Sequence, residues 1–101
     1  LKGEGAAPPL VLWAMATEIR TLALLKSGQD SGQALAALFK KERVFDRNRQ
    51  KLAERALVRL SANALRAALM HAARVDRIIK GVAKGEIWDE FKQLALRLAR
   101  R

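Results

Sequence analysis

Arg43, Phe45, Arg47, Arg49 and Lys51 form the one place in this sequence where an aromatic side chain stands among closely spaced cations without being obviously core. Guanidinium and ammonium groups neutralise phosphate charge, and a ring offers a face on which a base can stack. At a loop-to-helix junction this spacing suits a nucleic-acid backbone with one base on the ring. Between Lys40 and Leu60, eight Lys or Arg stand against three Asp or Glu, and that local excess is half of the net charge of +10. The competing reading is a solvated basic helix whose Phe45 packs inward as a hydrophobic staple. Residue types alone leave both open.

Other chemistry has little to stand on. The chain has a single histidine, His71, no cysteine, no tyrosine, and no Gly-rich phosphate loop between a strand and a helix. His71 lies beside an apolar helical stripe, where a half-buried imidazole without chemistry is expected, and no ligand-spaced partner offers it a metal. Glu86, Asp89 and Glu90 fall in the first turn of a helix, which the macrodipole explains. Lys40 and Lys41 suit a helix C-terminus for the same reason. Trp13 and Trp88 each sit within hydrophobic stripes and are expected in the core. We therefore expect no catalytic activity, no cofactor and no metal.

A chain of 101 residues holds one domain with one modest core. Twenty Lys plus Arg against ten Asp plus Glu favour polyanionic partners through counterion release and steering. Cysteine-free sequence fits a reducing cytoplasm. The longest apolar run, Leu10 to Ala16, is too short for a membrane span, and it follows Pro8-Pro9 without a signal-peptide cleavage site. No membrane partner is expected. The start at Leu1 reads as a fragment of a longer chain, with residues 1–8 a linker remnant and 9–101 one helical domain.

Helical spacing then organises the chain. Leu12, Met15, Ala16, Ile19, Leu22 and Ala23 form a stripe over Leu10 to Lys26, and Trp13, Leu24 and Leu25 widen it almost all round, so this helix should be central and packed on several sides. Ser27-Gly28 should end it, and Asp30-Ser31 should cap a short helix through Ala34, Leu35, Leu38 and Phe39. Asp46 is a candidate N-cap for a third helix to Leu60, with Leu52, Ala53, Ala56, Leu57 and Leu60 on one face. Ser61 or Asn63 caps a fourth, striped by Leu65, Ala68, Leu69, Ala72, Val75 and Ile79 and closed by Gly81. A fifth helix presents Ile87, Trp88, Phe91, Leu94, Ala95 and Leu98, and ends among Arg97, Arg100 and Arg101. With no alternating β-branched run, the fold class is an all-α, single five-helix bundle with short connections.

At Arg43-Val44-Phe45 followed by Arg47 and Arg49, then Leu57-Val58-Arg59-Leu60-Ser61, Leu65-Arg66-Ala67-Ala68 and Ile87-Trp88, the chain resembles the C-terminal domain of the bacterial DNA polymerase III delta subunit. These phrases fall in the family's order, and the resemblance spans about Pro9 to Leu98. It implies a helical collar domain of the clamp loader, the assembly that opens the ring-shaped sliding clamp and places it on primed DNA. In such assemblies five collar domains associate in a ring, and delta itself does not hydrolyse ATP. Partners implied are the other loader subunits, with primed or single-stranded DNA bound weakly. The sliding clamp would be reached only through N-terminal modules that this chain does not contain. By resemblance, Phe45 takes the place of a Trp near the exit of the single-stranded template, with Arg43, Arg47 and Arg49 around it. A second DNA-facing aromatic, a Tyr in part of the family, aligns with Ala83, so this sequence departs from a two-aromatic path.

A different class of function is a free-standing basic helical regulator whose third or fourth helix enters a major groove. A third is an RNA-binding bundle associated with the ribosome. A regulator should dimerise on duplex DNA of preferred sequence and the bundle should prefer structured RNA, whereas a collar piece should bind loader subunits and favour a primer-template junction.

Overall fold

In the computed structural model, which describes residues 7–99, the chain folds into five helices: α1 (Pro8–Asp30), α2 (Leu35–Lys41), α3 (Arg47–Arg59), α4 (Ala62–Ile79) and α5 (Ile87–Ala99). The described residues contain no strand, and no described helix is long and apolar enough to cross a membrane. Most of the expected linker remnant, and Arg100 and Arg101, lie outside the described residues.

The all-round apolarity of α1 has the consequence expected of it, because this helix touches α2, α3 and α4. Its N-terminal half, through Leu12, Ala16 and Ile19, packs with Ala68, Ala72 and Val75 of α4 and Phe91 and Leu94 of α5. Its C-terminal half, through Leu22 and Leu25, packs with Leu38, Phe39, Val44, the buried face of α3, and Leu65 at the start of α4. α1 and α4 therefore run antiparallel, and the core is two clusters strung along them. Ile19, Leu25, Leu65, Leu94, Val44 and Val75 are fully buried, and each contributes roughly 1.5–3 kcal/mol of hydrophobic stabilisation. Trp88 is half-buried, its ring edge-on to Phe91 at 5.4 Å.

Three helix ends share one device. In each, the N–H of the second residue past the cap reaches back five residues to a carbonyl: Gln33 to Gly28, Val44 to Phe39 and Val82 to Arg77, at 3.0, 2.8 and 2.9 Å. The preceding residue takes a left-handed conformation, Gly32 at φ 94°, Arg43 at 59° and Gly81 at 79°, which is the Schellman arrangement. Helix starts follow their caps: Asp46 and Ser61 accept from the N–H of Arg49 and Ala64, each at 3.0 Å, and the Glu86 carboxylate accepts from Asp89 N at 2.7 Å.

Several expectations are corrected. Ser27-Gly28 does not end α1, which runs on to Asp30. Gly28 is buried, and a Cβ there would lie 2.9 Å from Leu38 Cδ1. The glycine is thus a notch for α2, and the true stop is Gly32. Ser31 caps nothing on α2, whose N-cap is Ala34 without a side-chain bond; its hydroxyl donates instead to Gly28 O at 3.0 Å. Trp13 is not in the core but 64% exposed, because the core-facing arc of α1 is already filled by Leu12, Ala16 and Ile19. Leu52 and Ala95 are likewise exposed, and Leu69 and Ile79 only half-buried.

Candidate nucleic-acid interface

The connection between α2 and α3 is five residues long, and both its ends are tied. Upstream, the Schellman closure puts Arg43 in the left-handed region and turns Val44 into the core. Downstream, Asp46 caps α3, and Gln50 Nε2 donates to Val44 O at 2.7 Å. Phe45 lies between these anchors. Because successive side chains of an extended segment point opposite ways, burying Val44 drives Phe45 outward, and it is exposed. Val44, rather than Phe45, supplies the inward apolar contact that the staple reading required.

The five candidate residues separate into two groups. Arg47 and Lys51 are four apart on α3, on the side opposite its buried Ala53, Ala56 and Leu57. Both are exposed, as is Arg43, and among the described residues the side chains of these three make no hydrogen bond or ion pair. Arg43 and Arg47 flank Phe45 two residues away on either side along the chain, and Lys51 lies one helical turn beyond Arg47. Arg49 points the other way, in line with Ala53 and Ala56, and reaches α1. There its Nη2 meets Glu18 Oε1 at 3.1 Å and Oε2 at 3.3 Å, and Nε meets Oε1 at 3.4 Å. The expected ring of equivalent cations is therefore smaller by one, since Arg49 already has a carboxylate and joins α3 to α1.

His71 has partners that sequence spacing hid. Its Nε2 lies 2.8 Å from Glu90 Oε1, and Arg97 Nε donates to its Nδ1 at 3.0 Å. Arginine is always a donor, so Nδ1 accepts and the proton sits on Nε2, which donates to Glu90. The imidazole thus bridges a carboxylate and a guanidinium, locking α5 to α4. Glu90 and Arg97 are nineteen and twenty-six residues from His71, a separation that no local periodicity reports. Only the presence of one carboxylate and one arginine on a single α5 face, seven apart, could have suggested it. No group of three or more metal-ligating side chains occurs among the described residues.

Over residues 1–101, the chain matches the family described as the processivity clamp loader gamma complex DNA pol III C-term. No curated protein matches it, and no solved structure does.

Proposed function

Since the chain belongs to the family of C-terminal domains of delta-type clamp-loader subunits of DNA polymerase III, we propose that it is the collar piece that joins such a subunit to its neighbours while Phe45 meets the single-stranded template. Residues 9–101 form the collar, and residues 1–8 the end of a connection from preceding modules. It serves replication without catalysis of its own, in the bacterial cytoplasm, and would reach the sliding clamp only through those modules.

The observation that carries the template contact is the exposure of Phe45 on a connection fixed at both ends. A large apolar ring held in water among Arg43, Arg47 and Lys51 has no core role to explain it. A base stacked on such a ring gains about 1–3 kcal/mol without sequence preference, and phosphates on either side would fall to the three cations. Arg49 supports from behind by fixing α3 to α1. Full loader carrying Phe45→Ala should bind a primer-template junction roughly tenfold more weakly and place clamps more slowly, while Phe45→Trp retains both. Unchanged affinity and rate with Phe45→Ala would end the template reading while leaving the collar reading intact.

A further inference from the structure

α1 has no polar side. Leu10, Trp13 and Leu24 recur along its outer face with Thr17 and Arg20 between them, and each of the three large apolar side chains is more than half exposed. A helix that is apolar all round belongs inside a structure, yet α2, α3 and α4 leave this side of α1 uncovered. Two of the other exposed apolar residues differ: Val58 and Met70 stand singly among arginines, which is ordinary for a protein surface. On α1, Leu10 and Trp13 lie one turn apart with Leu24 further along the same stripe, and Trp13 also walls a groove of 390 Å³ between α1 and α4, whose small side chains Ala16, Ala72 and Ala73 leave room for an incoming residue. An exposed tryptophan beside a small-walled groove is where binding energy concentrates at interfaces.

Charge selects the occupant. Arg20 is the only charged residue on this stripe, and it has no ion pair among the described residues. Glu18 is turned away to Arg49, and Asp76 at the groove is paired with Lys80 at 2.9 Å. A second copy would bring another Arg20 and another net charge of +10 to the contact, which opposes self-association. We propose that the outer face of α1, with its groove against α4, docks an apolar-striped helix of a neighbouring loader subunit that places a carboxylate opposite Arg20. This rests on the collar reading and adds to it a face and the chemistry of the partner.

The test uses the full-length subunit titrated with its purified neighbouring loader subunits, alongside circular dichroism and thermal unfolding of each variant. Trp13→Glu is expected to weaken assembly about thirtyfold or more, Leu24→Glu and Arg20→Glu about tenfold each, and Val58→Glu on the far face of α3 not at all. Folding should be unchanged, because these side chains are exposed; should Trp13→Glu nevertheless unfold, Leu24→Glu and Arg20→Glu decide alone. Unmodified affinity in these variants, while the unmodified subunit assembles, overturns this surface and leaves the collar reading standing. A wild-type homodimer that Trp13→Glu dissociates also overturns it, in favour of a second copy. If the unmodified subunit joins no loader subunit, the collar reading fails, and this docking surface fails with it.

Discussion

Val44 and Phe45 are adjacent in the chain, yet Val44 is 1% exposed and Phe45 68%. One peptide bond separates a fully buried core residue from one of the most exposed apolar side chains of the described chain. The closure of α2 below and the cap of α3 above hold that division in place.

The pair should therefore respond oppositely to truncation. Val44→Ala is expected to cost about 1–3 kcal/mol in a urea titration, since it empties a filled site between α2 and α3. Phe45→Ala should change stability by less than about 0.5 kcal/mol and show its effect in template binding. A large stability loss at Phe45 would place the ring in the core instead.

Arg43 occupies a backbone conformation that side chains avoid, at a cost of about 1–2 kcal/mol relative to glycine. Glycine loses some of that advantage through its freer unfolded chain, so Arg43→Gly should stabilise the domain by about 0.5–1 kcal/mol. The same variant should bind primer-template more weakly, having lost a cation beside Phe45. Stability gained together with affinity lost would mark Arg43 as retained for its charge. A destabilised Arg43→Gly, measured by urea titration, would refute this.

Arg47 and Arg49, two residues apart, should separate in a salt titration. Arg47→Ala is expected to lower the slope of log affinity against log salt by about 0.7, one phosphate contact. Arg49→Ala should leave that slope nearly unchanged and instead release Glu18, costing up to about 1 kcal/mol of stability as an exposed ion pair. Equal slope changes in the two variants would contradict the division of the cations.

Leu65 and Leu69 sit one turn apart on α4 and differ in depth. Leu65→Ala should cost about 2–5 kcal/mol, as a fully buried leucine does. Leu69, half-buried where the α1/α4 groove opens, should cost about 1–2 kcal/mol, scaled to the apolar area it covers. Chemical denaturation of both variants compares them directly, and equal losses would mean that the groove is closed.

The helices themselves were legible because their caps and periods are local. Asp46, Ser61 and Gly81 stand where short-range chemistry puts them, and the family phrases around Arg43 to Phe45 and Leu57 to Ser61 pointed to the family that the whole chain matches. What escaped was anything set by a neighbour in space. Gly28 reads as a stop until Leu38 is seen resting on it, and Arg49 reads as another phosphate ligand until Glu18 is seen beside it, thirty-one residues away. Trp13 escaped for a related reason: a stripe that nearly encircles a helix gives no sign of which arc the rest of the chain will cover. The exposure of Phe45 followed from a residue whose inward turn depends on Arg43 adopting a left-handed conformation, which a sequence assigns first to glycine.

The two core clusters have a consequence for how the domain breathes. α1 and α4 run through both, whereas α5 rests mainly on α4 in one of them, through Phe91, Leu94 and the bridge from His71. Undocking α5 exposes chiefly that cluster and withdraws from the other only Leu98 and its bond from Arg59, so the amide protons of α5 should exchange with deuterium as a group, through an opening that demands less free energy than global unfolding. Amides in the middle of α1 and α4 should exchange last and together. A partial unfolding that begins at the C-terminal helix would give the collar a place where its subunit can yield without coming apart, visible as a two-tier protection pattern under native conditions.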